Sequence, residues 1–200
     1  MIGHEEWKRG ITFTMDLQQG MTTAAVIGDF QITTIVTGES WCQNCYLVRH
    51  LFSGDLVLID PGDDASRIIE QVHRQQGVLK NILITHAHHD HIRALRDVEK
   101  EFGAPCYLHK ADAGLFHRAH TYALIFDGRP MDPLKVPCRH FNDDLMIGGR
   151  KIEVMGAPGH TPGSVCFDFG SFVLQEMSCC FSTWAAAIPP GAMQKNYRIP

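Results

Sequence analysis

Thr85-His86-Ala87-His88-His89-Asp90-His91 is the stretch that decides how this chain is read. It follows directly on Asn81-Ile82-Leu83-Ile84, a short apolar run with the composition of a buried strand. Side chains at i and i+2 share a face only on an extended segment, so His86 and His88 point the same way. Asp90 and His91 then fall where the chain turns into a helix. A strand end that breaks into a helix converges these four side chains on one small volume. Imidazole nitrogens with a carboxylate suit Zn²⁺, as one or two ions, with Fe or Mn as alternatives. A solvated histidine run would neither follow a buried strand nor carry an aspartate in place. His89 sits between the ligands and is expected to point away from them.

His160 lies in Ala157-Pro158-Gly159-His160-Thr161-Pro162-Gly163-Ser164, at the end of a strand. Two Pro-Gly pairs hold it rigidly, and the first metal needs a third nitrogen, so His160 is expected to complete the set. The other histidines (His4, His50, His73, His109, His117, His120 and His140) read as surface residues. Cys42-Gln43-Asn44-Cys45 has the CxxC spacing, but no second pair stands at zinc-finger distance and no thioredoxin-like context surrounds it.

The remainder of the 200 residues fits one globular domain, with 44% apolar and 20% charged residues. A net charge of −4 argues against a nucleic-acid partner, which needs a basic face. No apolar run is long enough for a membrane span. The first 19 residues show no secretory pattern. The seven cysteines read as mostly free, buried thiols of a reducing, cytoplasmic setting. Strand-like runs fall at 30–36, 46–48, 56–59, 81–85 and 106–108. Helices are expected after Asp63 or Asp64, ending at Gly77, after the histidine run up to Gly103, and at 110–117. Residues 118–143 read as a loop. Hairpins are expected around Gly148-Gly149 (144–147 with 151–155) and around Gly170. Strands that alternate with helices and later pair as hairpins predict a layered αβ domain over 30–174, behind a poorly defined extension at 1–29.

At these residues the chain resembles the metallo-β-lactamase-fold hydrolases, in particular the compact branch related to hydroxyacylglutathione hydrolase (glyoxalase II). The matching pieces are Asn44-Cys45-Tyr46, Asp60-Pro61-Gly62, the 85–91 motif and 158–164. The resemblance implies an α/β, four-layered αββα sandwich with a dinuclear site at one edge. It implies that His86, His88 and His160 hold the first metal and that Asp90 and His91 hold the second. Asp60 would support the site from behind. The implied chemistry is attack on a carbonyl by a hydroxide shared between two metals, whose water has its pKa lowered to about 7. Asp90 would assist with charge and proton. The implied substrate is a small molecule, a thioester such as an acyl-glutathione. The alternatives are a persulfide dioxygenase-like mononuclear iron enzyme and an inactive metal-binding remnant. Oligomeric state is left open.

The resemblance stops after Leu174. The family continues with Gly-Asp, whose aspartate bridges both metals, then Gly-Arg-(Ser/Thr)-Asp and a late histidine. Here Gln175-Glu176-Met177-Ser178-Cys179-Cys180 follows instead. Reading each codon's third base with the next codon's first two restores the pattern. Cys179-Cys180 forces Leu, Trp184-Ala185 forces Gly, Met193-Gln194 forces Ala and Asn196-Tyr197 forces Leu. The shifted reading allows Gly-Asp-Val-Leu, then Gly-Arg-Ser-Asp. The tail 175–200 is therefore expected to be out-of-frame translation and the literal chain to be poorly soluble. Resequencing the gene tests this: an intact frame through to Pro200 would refute it.

Overall fold

The computed structural model describes residues 11–12, 19–39, 41–175 and 186–187. The expected tail at 175–200 lies outside the described residues, apart from Gln175 and one short strand. In chain order the strands begin with β1 (Ile11–Thr12), β2 (Thr22–Ile27), β3 (Phe30–Thr37), β4 (Gln43–His50) and β5 (Asp55–Ile59). Then come α1 (Ala65–Arg74), β6 (Val78–Leu83), α2 (His89–Ile92), α3 (Leu95–Phe102), β7 (Cys106–Tyr107), α4 (Ala113–Asp127) and β8 (Cys138–Arg139). A hairpin of β9 (Met146–Ile147) and β10 (Arg150–Lys151) leads to β11 (Glu153–Gly156), β12 (Val165–Asp168) and β13 (Val173–Leu174). The last strand among the described residues, β14 (Ala186–Ala187), pairs with β1.

Strands β2 to β8 form one seven-stranded sheet in sequence order. The β2-β3-β4-β5 part is antiparallel and β5-β6-β7-β8 is parallel. The change follows from the connections. Tight turns join antiparallel neighbours, whereas parallel neighbours need a crossover, here supplied by the helices. A second sheet, β11-β12-β13, is antiparallel.

The alternation of side chains along each strand builds two cores. Cys45 and Leu47 of β4, with Leu56 and Leu58 of β5, face Ile68, Val72, Leu95, Val98 and Phe116 of the helices. Tyr46, Val48, Val57 and Ile59 point the other way, against Val165 and Phe167 of the second sheet and Phe172 just before β13. A strand buried on both faces reads as a continuous apolar run, which is why β5 and the buried end of β6 were legible; β6 spans 78–83 and not the expected 81–85, its start hidden by the exposed Val78 and Lys80. Among the described residues this gives three layers: helices, large sheet, small sheet. The mixed αβ sandwich expected from the sequence is present; of its four expected αββα layers, the second helical layer has no member among the described residues.

Several details differ from expectation. The sheet starts at Thr22, ahead of residue 30, because β2 pairs along its whole length with β3. The helix expected at 110–117 is a 3₁₀ turn (Lys110–Asp112) followed by α4, which runs on to Asp127 and is closed by Gly128 at φ 65°. The strand expected at 151–155 is interrupted at Ile152, whose amide bonds Leu145 O. Helix α1 ends at Arg74 rather than at Gly77. Gly77 serves a close approach instead, since a Cβ there would lie 2.2 Å from Gly54 O. Asp64 sits at the N-cap of α1, but no side chain caps the helix.

His50 is buried, not a surface residue, because Gly148 leaves room for its ring and Ser53 N donates to its Nδ1. Cys106 and Cys138 face each other in register on β7 and β8 and form a disulfide. The cysteines were expected to be mostly unbridged, and among the described ones Cys42, Cys45 and Cys166 form no disulfide. No helix among the described residues is long and apolar enough to cross a membrane.

Candidate metal centre

The carboxyl ends of β5, β6 and β7 open on one edge of the large sheet, the place where α/β sheets take their ligands. Asp60 follows β5, the 85–91 segment follows β6, and the turn bearing Asp112 follows β7. The loop 157–164, between β11 and β12, reaches the same edge. Val165 N donates to Thr85 O at 2.9 Å, which sews the second sheet to the histidine segment.

His86, His88 and His160 each bring a ring nitrogen within 4.8 Å of the others. His86 Nε2 and His88 Nδ1 are 3.0 Å apart. Ring centroids of His86 and His160 lie 4.8 Å apart, and those of His88 and His160 4.5 Å. His86 is fully buried, His88 half-buried and His160 exposed, so the cluster opens to solvent on the His160 side. Asp60, His86 and His91 form a second group within the same limit. Asp90, on the first turn of α2, has its Oδ2 3.6 Å from His91 Nε2. Among the described residues it joins neither group of three.

Asp60 is wholly occupied by orientation. Its Oδ1 accepts Thr85 N at 2.7 Å, and its Oδ2 accepts Thr85 Oγ1 at 2.6 Å and faces His91 Nδ1 at 3.0 Å. Thr85 Oγ1 in turn lies 3.0 Å from His86 Nδ1. The Nδ1 edges of His86 and His91 are thus held from behind, leaving Nε2 of each toward the cluster. Asp60 sits at φ 51°, a left-handed conformation that aspartate tolerates better than most residues. Gly62 lets the chain pass beneath the site: a Cβ there would lie 2.1 Å from Asp90 O.

His89 points away, as expected. Its Nε2 lies 3.1 Å from Asp127 Oδ1, and its ring stacks on Phe126. The CxxC cysteines stay apart from the chemistry. Burial, then the neighbouring Asp60 charge, pushes the Cys45 thiol well up, so it is an inert thiol.

Sequence reasoning missed Asp112. This fully buried carboxylate accepts Ala87 N at 3.0 Å, Thr161 Oγ1 at 2.8 Å and Gly163 N at 2.8 Å. It belongs to no motif, and its partners come from two distant loops. The only local signal was an acid at the start of a helix.

The donor set suits a borderline metal ion. Burial, then the neighbouring imidazoles His91, His88 and His160, holds the His86 pKa well below its usual value. Burial, then His160, lowers His88 from 6.5 to about 4. Burial, then His91, lowers His160. All three are therefore neutral near pH 7, the form that ligates metal.

This carries a stability prediction for the metal-free protein. Imidazoles with depressed native pKa values take up protons in the unfolded chain first, so stability rises with pH between the native and unfolded values. It is full above 6.5 and falls as the pH drops from 6.5 toward about 4. Thermal melts of EDTA-treated protein from pH 7.5 to 5 should show a decreasing midpoint. A midpoint that holds constant or rises would contradict the geometry.

The family description "Metallo-beta-lactamase superfamily" matches residues 42–171, which contain both histidine loops and Asp60. The chain belongs to the metallo-beta-lactamase superfamily. A curated relative within reach is hydroxyacylglutathione hydrolase GloC of Haemophilus influenzae, 32% identical over 137 residues. That match covers 66% of this chain and 64% of the relative, so the chain spans just under two thirds of that protein's length. Among solved structures, TTHA1623 in a di-iron-bound form is similar with TM-score 0.62 and 30% identity, over 71% of this chain and 70% of that one. The B3 metallo-beta-lactamase BLEG-1 gives TM-score 0.58 and 30% identity, over 70% and 66%. The Haemophilus relative is a hydroxyacylglutathione hydrolase and BLEG-1 a B3 metallo-beta-lactamase, so the substrate is a question for this chain's own residues.

Proposed function

We propose that the chain is a metal-dependent hydrolase that cleaves a small-molecule thioester, in the manner of hydroxyacylglutathione hydrolases. The observation that carries this reading is the three-histidine cluster opening to solvent at His160, with Asp90 and His91 beside it. The 32% identity to the Haemophilus hydroxyacylglutathione hydrolase supports the substrate class. In this reading His86, His88 and His160 hold one ion, and Asp90 with His91 contributes to a second. Zn²⁺ fits three neutral imidazoles. When bound, the metal supplies an acidic water and polarises the substrate carbonyl.

The residues do the rest. Asp60 keeps the Nδ1 proton of His91 on its far side, so that Nε2 faces inward. Burial of His86 and His91 excludes water from behind the cluster. Asp90, with 18% of its side chain exposed, is the carboxylate at the mouth and the group placed to carry a proton to or from solvent. The thioester's thiolate leaves readily, so no strong general acid is required. The setting proposed is cytoplasmic.

A second reading has one observation in its favour. The similar solved structure TTHA1623 is a di-iron-bound form, and three imidazoles also suit iron. A persulfide dioxygenase-like mononuclear iron enzyme would take up oxygen. Metal analysis with paired assays separates the two. The proposal expects zinc and thioester cleavage without oxygen uptake. Iron with oxygen consumption would replace it, and metal without turnover of either kind would make the chain an inactive remnant.

A further inference from the structure

We infer that Asp112 is a positioning residue that fixes the two histidine loops relative to each other; the inference rests on the metal-centre reading above. Asp60 orients imidazole rings, directly or through Thr85. Asp112 acts on the backbone. Ala87, whose amide it accepts, lies between His86 and His88. Thr161, whose hydroxyl it accepts, directly follows His160, and Gly163 lies two residues further on. One carboxylate therefore spans the segment carrying two of the three imidazoles and the loop carrying the third.

The placement is specific. Asp112 stands at the N-cap position of α4, yet its side chain makes no cap bond there. Its acceptors are committed to the loops instead, while the positive end of a 15-residue helix favours its charge. Gly163 comes so close that a Cβ would lie 2.6 Å from Asp112 Cγ. Thr161 is held from its other side as well, with its amide donating to Ser164 Oγ at 3.0 Å.

Asparagine at this position tests the bonding without changing the volume. Oδ1 faces the Gly163 N–H and Oδ2 faces the Ala87 N–H. An amide in either orientation aims its NH₂ at a backbone donor, which strands that donor. The loops must then separate, and the three nitrogens with them.

The experiment measures zinc affinity by competition with a chromophoric chelator, together with the visible spectrum of the Co²⁺-loaded protein. The variants are D112N, T161V, T161S and L58A. Leu58 lies in the helix-side core and its side chain makes no hydrogen bond, so L58A lowers stability while leaving the Asp112 bonds in place. Loss of an outer support typically weakens metal binding about 10–100-fold. D112N is expected to fall in that range with an altered Co²⁺ spectrum, while folded L58A binds like the parent. T161V should weaken binding several-fold, and T161S, which keeps the hydroxyl, should restore it.

Parental zinc affinity in folded D112N would overturn the inference. If D112N does not fold, the threonine pair decides: equal affinity in T161V and T161S would overturn it. None of these readouts requires turnover, so a parent that binds zinc yet cleaves no thioester would sink the proposed function alone. A parent that binds no zinc would sink both.

Discussion

Replacement of His86 by alanine is expected to remove bound metal and lower kcat/KM on a thioester by roughly 10³-fold or more. His86 belongs to both clusters, the three-imidazole set His86–His88–His160 and the group Asp60–His86–His91, in which Asp60 holds His91 from behind. Its ring is fully buried, so no solvent group can move in to replace the missing nitrogen. Metal-assisted polarisation is worth several kcal/mol, and each 1.36 kcal/mol is a factor of ten in rate. The control is a neighbour in the same run. His89→Ala removes a ring that faces Asp127 and Phe126, so metal content should stay at the parental level. Metal analysis and steady-state kinetics on both variants check the contrast. Equal losses from H86A and H89A would mean that the run acts as a nonspecific histidine patch.

The centre was legible in sequence because most of its geometry is local. An extended segment just past β6 put His86 and His88 on one side, and the helix that follows brought in His91, while Asp90 reaches His91 but joins neither group of three. His160 was readable from the rigid Pro-Gly loop that presents it. What stayed hidden depends on chain segments meeting late. Asp112 is a single acid between a strand and a helix, and its partners at Ala87 and Gly163 are visible only when two loops come together. Cys106 and Cys138 become neighbours only through the α4 crossover that sets β7 beside β8. Helix α4 itself was cut short because it lacks a one-sided apolar stripe. Ala119 and Ala123 face the core, but Leu124, Ile125 and Phe126 are exposed, so no 3.6-residue pattern marked its end.

Asp60→Ala is expected to cost both stability and metal affinity, the largest combined effect of any substitution outside the ligand set. The carboxylate is 1% exposed and meets Thr85 N, Thr85 Oγ1 and His91 Nδ1. Alanine leaves the Thr85 amide and the His91 ring without their partner in a buried site, at about 1–3 kcal/mol for each stranded group. It also places a residue less tolerant than aspartate at φ 51°. A total near 3 kcal/mol would lower the thermal midpoint by roughly 6–12 °C in a chain of this size. Freed from its Nδ1 partner, His91 can turn or change tautomer, and about a 10–100-fold loss in metal binding follows. Asp60→Gly separates the two contributions. Glycine accepts the left-handed backbone without strain, so D60G should recover part of the thermal midpoint while its metal affinity stays as low as that of D60A. If D60G regained metal affinity along with stability, the carboxylate would be serving the backbone turn and not the imidazoles.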